Sequence, residues 1–105
     1  MRFYKHLYVG ESLKKKKNSI KWKLRMNKFL PDVFIVVLSQ TVNEIEFFKA
    51  LQLKQRYFKR QDFFVVGIAS SEEECQEIVV QIAKDSALSP YPYELKKFLI
   101  YQNGV

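Results

Sequence analysis

Two stretches of the chain are apolar without alternating. Val33-Phe34-Ile35-Val36-Val37-Leu38 is continuous, rich in β-branched residues and free of polar interruption, and Phe63-Phe64-Val65-Val66-Gly67-Ile68-Ala69 has the same character. A strand reads this way when both of its faces are covered, as in a sheet with helices on either side. Phe3 to Val9 mixes Phe, Tyr, Leu and Val with Lys5 and His6, which suits a less buried strand at a sheet edge. Each fully apolar run is followed by a helix-start signal, Thr41-Val42-Asn43-Glu44 after the first and Ser71-Glu72-Glu73-Glu74 after the second. Both fit a capping box, in which the hydroxyl accepts from the third helical N–H and the glutamate reaches back.

Downstream of Ser71, Cys75, Ile78, Val79, Ile82 and Ala83 fall on one helical stripe, with Gln76, Glu77, Gln81 and Lys84 outside it. Downstream of Thr41, Phe47, Phe48, Leu51 and Phe58 share a helical face, while Ile45 and Leu53 lie elsewhere, so that helix carries apolar residues around much of its circumference. Residues 12–27 admit two readings. As a helix they place Leu13, Ile20 and Leu24 on one stripe. As a strand they place Ile20, Trp22, Leu24 and Met26 on one face, against Lys21, Lys23 and Arg25 on the other. The helix is preferred, because a two-faced strand needs covering on both sides and a parallel pair needs a crossover.

The expected fold is therefore α/β, a small three-layer β-α-β-α-β-α domain with a mainly parallel sheet. The alternative is α+β with residues 19–26 as a strand. Residues 1–105 form a single domain in this reading, with 88–105 as a docked C-terminal segment. If 12–27 is helical, Trp22 projects away from the sheet, and the expectation is that the tail or a second subunit covers more than half of it.

Charge sharpens this picture. Residues 1–28 carry ten lysines and arginines against one acid, Glu11, a local charge of +9; the rest carry eight against ten, or −2. Basicity belongs to one element. Lys14, Lys15, Lys16, Lys17, Lys21, Lys23 and Arg25, with Trp22 among them, are candidates for nucleic-acid binding: a stacking ring within a cationic track. The plainer reading is a solvated helix face. A second basic cluster is Lys54, Arg56, Lys59 and Arg60.

A catalytic or metal constellation is not apparent. His6 is the lone histidine and Cys75 the lone cysteine, and Glu72 to Glu74 suit the first turn of a helix before they suit a metal. Cys75 sits on an apolar stripe and reads as a buried structural residue. No Gly-rich nucleotide motif occurs, so no cofactor and no metal are expected. No apolar run reaches the roughly 20 residues that span a bilayer, so no membrane association is expected, and one cysteine suits a cytoplasmic location.

One arrangement points to a ligand. In parallel sheets, ligands sit outside the carboxyl ends of the strands. Here those ends read Gly10-Glu11-Ser12, Ser39-Gln40-Thr41 and Ser70-Ser71, each opening a predicted helix. Gly10, Ser12, Lys14, Ser39, Thr41, Ser70 and Ser71 are accordingly candidates for binding a phosphate-type anion, against the plainer view that the hydroxyls are N-caps.

Tyr8-Val9-Gly10-Glu11-Ser12-Leu13, Leu53-Lys54-Gln55-Arg56-Tyr57 and Val66-Gly67-Ile68-Ala69 before an acidic amphipathic helix together resemble a family of small uncharacterised bacterial proteins of unknown function. The resemblance implies a bacterial cytosolic protein and assigns no activity, cofactor or site residue. The leading functional expectation is a non-enzymatic association module, a homodimer or a subunit of a larger assembly, since the apolar content exceeds what one core needs. The alternatives are nucleic-acid binding through the basic helix and a small phosphate-type ligand at the strand ends.

Overall fold

The computed structural model describes residues 2–26, 28, 30–38, 44–54, 64–92 and 94–102. Strand β1 (Arg2–Val9) leads through a 3-10 segment (Glu11–Lys16) into helix α1 (Lys17–Arg25). Strands β2 (Phe34–Leu38) and β3 (Ile45–Lys49) follow, then a 3-10 turn (Ala50–Lys54), strand β4 (Phe64–Ala69), helix α2 (Glu72–Ala87) and helix α3 (Leu95–Gln102). The four strands form one sheet in the order β1-β4-β2-β3.

Only β1 and β4 run parallel; β2 is antiparallel to both β4 and β3. The fold is thus α+β with a mixed, mostly antiparallel sheet, and the expected mainly parallel β-α-β-α-β-α order is corrected. The error lies at one element. Ile45 to Lys49 form a strand where a helix was expected, so β2 is answered by an adjacent antiparallel strand, with Phe34 opposite Lys49 and Leu38 opposite Ile45. The apolar side chains all round the supposed helix are those of a strand packed on both faces: Ile45 and Phe47 join one core cluster and Phe48 the other. The expected cap at Thr41 and the position of Phe58 lie outside the described residues.

Residues 17–25 are helical, so the strand alternative for 19–26 does not hold either. Leu13, Ile20 and Leu24 are buried in the cluster that contains Ile35, Val37, Val65 and Ile68, while Lys14, Lys15, Lys16 and Lys23 stay exposed. The opposite cluster gathers Val36, Leu38, Phe64, Val66 and Ala69 against Cys75, Ile78 and Ile82 of α2 and Phe98 and Leu99 of α3. Successive residues of β2 thus enter opposite cores, which explains its unbroken apolar run. Each such side chain contributes roughly 1.5–3 kcal/mol on burial. Gly67 suits this close packing: a Cβ there would meet Ile78 Cγ2 at 3.1 Å and both the Tyr8 carbonyl oxygen and Val36 Cβ at 3.3 Å, so its neighbours would have to give by a few tenths of an ångström.

Helix α2 starts as its sequence dictates. Ser71 is extended (φ −154°, ψ 164°) and its hydroxyl accepts from the Glu74 N–H at 3.2 Å. The helix ends where Leu88 N–H donates to the Lys84 carbonyl and Ser89 N–H to that of Ser86, just before Pro90 and Pro92. Ser86, the one polar side chain buried among the described residues, donates its hydroxyl to the Tyr91 carbonyl at 3.1 Å. The tail therefore returns over α2. None of the described helices is long and apolar enough to cross a membrane.

Candidate functional site

Because β1 and β4 are parallel, their carboxyl ends lie side by side, with Val9 opposite Ile68 and Gly10 N–H donating to the Ile68 carbonyl at 2.8 Å. This brings Ser12 to Ser70, with Gly10 and Ser71 next to them along the chain. The site is already filled. The Glu74 carboxylate accepts from Ser70 N–H at 2.8 Å and Ser12 N–H at 3.2 Å, and the hydroxyls of both serines lie within 2.9–3.0 Å of it. The two hydroxyls are 2.6 Å apart, so one also bridges to the other. The anion that these donors hold is a side chain of the protein itself. A Cβ on Gly10 would collide with Glu74 Oε1, so the glycine is what lets the carboxylate approach the strand end. The Ser70 N–H, outweighing the opposing effect of burial, holds the Glu74 carboxyl below its usual 4.5, with the Ser12 bonds adding to it.

The other members of the anion set are not brought to this point. Leu38, at the carboxyl end of β2, pairs with Phe64 at the start of β4, the far end of the sheet. Ser39 and Thr41 lie outside the described residues. Lys14 forms an exposed 2.8 Å ion pair with Glu11, an arrangement that contributes less than about 1 kcal/mol.

The basic residues fall in one stretch of the chain, the 3-10 segment and α1. Lys14, Lys15, Lys16, Lys23 and Arg25 are exposed, and Lys17 and Lys21 are half-buried. Lys21 Nζ and Arg25 Cζ lie 5.5 and 4.9 Å from the centre of the same Phe3 ring, which pins two of the charges over β1. Trp22 is 56% exposed and Met26, one turn on, 55%. The expected burial of most of Trp22 is therefore corrected for the single chain. The tail expected to cover it is packed on the opposite face of the sheet, where Phe98 and Leu99 are buried with α2. In the second basic cluster, Arg56, Lys59 and Arg60 lie outside the described residues.

His6 is exposed on β1, its ring edge-to-face with Tyr4 at 5.8 Å. Cys75 is fully buried in the core. Burial, with Glu74 and Glu72 nearby, pushes its thiol up to about 11, opposite to what a nucleophile needs. Among the described residues, no group of three or more His, Cys, Asp or Glu side chains is placed to hold a metal ion.

Two polar arrangements escaped the sequence reading. Glu74 was legible as a cap residue, and its place three residues after Ser71 was the signal. Its reach to Ser12 was not, because the pair is 62 positions apart. Tyr8 donates to Asp85 Oδ2 at 2.6 Å across 77 positions, and nothing in the local sequence of either residue announces it. No known protein family, curated protein or solved structure matches the chain.

Proposed function

We propose that the chain binds single-stranded nucleic acid along the face made by Glu11–Lys16 and α1, with Trp22 as its stacking platform. The observation that carries this reading is the exposure of Trp22, 56%, in a nine-residue helix that also holds Lys21, Lys23 and Arg25. Leaving an indole in water forgoes roughly 2–3 kcal/mol of burial, a cost that a binding surface recovers on contact. Lysines at 14–17 extend the cationic track, and the acidic helix α2 lies on the other side of the sheet, so phosphates are attracted to one side of the molecule. A base stacked on an aromatic ring contributes about 1–3 kcal/mol. Stacking on Trp22 requires unpaired bases, which favours single strands over duplex.

The test is Trp22 fluorescence titrated with an oligothymidylate. Saturable quenching is expected, with log affinity falling against log salt by roughly 0.7 per phosphate contacted. Replacing Lys14, Lys16, Lys21 and Lys23 by Gln is expected to flatten that slope, whereas Trp22→Ala, followed by the anisotropy of a dye-labelled oligothymidylate because the variant has no tryptophan, lowers affinity and leaves the slope unchanged. Absence of quenching at low salt would overturn the reading.

A second reading, self-association, is favoured by the same helix: Trp22 and Met26 are two large apolar side chains exposed one turn apart. Sedimentation at micromolar concentration separates the two. A dimer that Trp22→Ala dissociates would support association, and a monomer that still binds the oligonucleotide would support the first reading.

A further inference from the structure

On the α2 side of the sheet, an open cleft of about 490 Å³ is lined by Tyr4, His6, Tyr8, Asp85, Ser89 and Phe98, among others. Three independent features give it one electrostatic character. The first is a carboxylate held by two neutral donors. Asp85 Oδ2 accepts from the Tyr8 hydroxyl at 2.6 Å and Oδ1 from Gln81 Nε2 at 2.8 Å, both neutral donors. The ion pairs that Lys14 and Lys97 form are with Glu11 and Glu94, not with Asp85. Each oxygen retains a free lone pair.

The second feature is aromatic. The Tyr4 and Tyr8 rings stack at 6.0 Å and 12°, His6 sets its ring edge-to-face with Tyr4, and Phe98 also lines the cleft. Ring faces carry negative quadrupole charge. The third is the position of the cleft at the carboxyl end of the 16-residue α2, the negative pole of the helix. Burial, with the Asp85 carboxylate adding to it, raises both tyrosine hydroxyls above their ordinary range. The lysines of α1 lie across the sheet, and at ordinary salt their field is screened beyond about 10 Å.

We propose that this cleft binds a small organic cation through its alkylammonium group, the ammonium donating to Asp85 and the alkyl part lying along Tyr8 and His6. The site is separate from the basic face and does not depend on nucleic-acid binding.

The test is nuclear magnetic resonance of the full chain, following the His6 and tyrosine ring signals during titration with n-butylammonium chloride at constant ionic strength. Saturable shifts with a dissociation constant in the millimolar range, of order 1–10 mM, are expected for one such group. The neutral isostere 1-butanol should bind about tenfold more weakly, because it lacks the charge that the carboxylate recognises. Asp85→Asn should weaken butylammonium by about the same factor. If that variant is not folded, Tyr8→Phe, which frees Asp85 while keeping the ring, is expected to retain binding. Absence of saturable shifts, equal affinity for 1-butanol, or unchanged affinity in a folded Asp85→Asn variant would each overturn the proposal.

Discussion

Ser12 donates to Glu74 from its backbone N–H at 3.2 Å and approaches it with its hydroxyl at 3.0 Å, tying the first turn after β1 to the first turn of α2. With Ser70 on the same carboxylate, one side chain closes the junction of the two parallel strands. Removing it leaves two backbone N–H groups without this acceptor. Glu74→Ala is expected to destabilise the fold by about 1–3 kcal/mol, read from the urea midpoint.

The same carboxylate gives a pH dependence. Its folded value is depressed below 4.5 by the Ser70 and Ser12 hydrogen bonds. Its contribution to stability is therefore complete above the unfolded value and is lost as pH falls through the lower folded one. Denaturation midpoints measured downward from pH 5 should decline, and Glu74→Gln should flatten part of that decline.

Tyr8 works in the opposite range. Burial first, then the bond to Asp85, raise its hydroxyl well above the usual 10.0. The protonated tyrosine therefore contributes stability that is complete below pH 10 and is lost as pH rises toward the folded value. Ultraviolet titration of the folded protein should show at least one tyrosine resisting ionisation until the fold gives way. Tyr8→Phe removes that group and is expected to cost about 1 kcal/mol at neutral pH.

Cys75 should be inert. It has no exposed surface and its thiol is pushed up to about 11, so a thiol reagent at pH 8 is expected to react only as fast as the protein opens. Labelling that becomes rapid in urea, in step with loss of structure, is the expected result. Cys75→Ser, which buries a hydroxyl in an apolar cluster, is expected to destabilise by about 1–3 kcal/mol.

Trp22, 56% exposed, should emit near the wavelength of free tryptophan in the monomer and be quenched readily by iodide, an anion that the surrounding lysines attract. Trp22→Ala is expected to change stability by less than about 0.5 kcal/mol, as for a surface position. A blue-shifted emission that reddens on dilution would instead reveal a second subunit on this face.

What the sequence determined by itself is where apolar side chains must be covered. The unbroken runs at Val33–Leu38 and Phe63–Ala69 demanded cover on both faces, and the structure supplies it for their described residues. The stripe after Ser71 predicted α2 and its cap, and Leu13, Ile20 and Leu24 marked the buried side of α1 and the segment before it. These are local properties: a period of 2 or 3.6 and a hydroxyl three residues before a glutamate are written in neighbouring positions. The sense of strand pairing is not. Whether β2 is answered by a helix or by β3 depends on which partner fills both cores. The spacing of Phe47, Phe48 and Leu51 suits a helix until the second core claims Phe48. Tertiary structure alone decided that Ser12 and Ser70 hold Glu74 rather than a ligand, that Tyr8 meets Asp85, and that the tail covers α2 and leaves Trp22 in solvent. Each of those outcomes joins groups brought together only when the sheet assembles, and no local pattern encodes a contact whose two halves lie 62 or 77 residues apart.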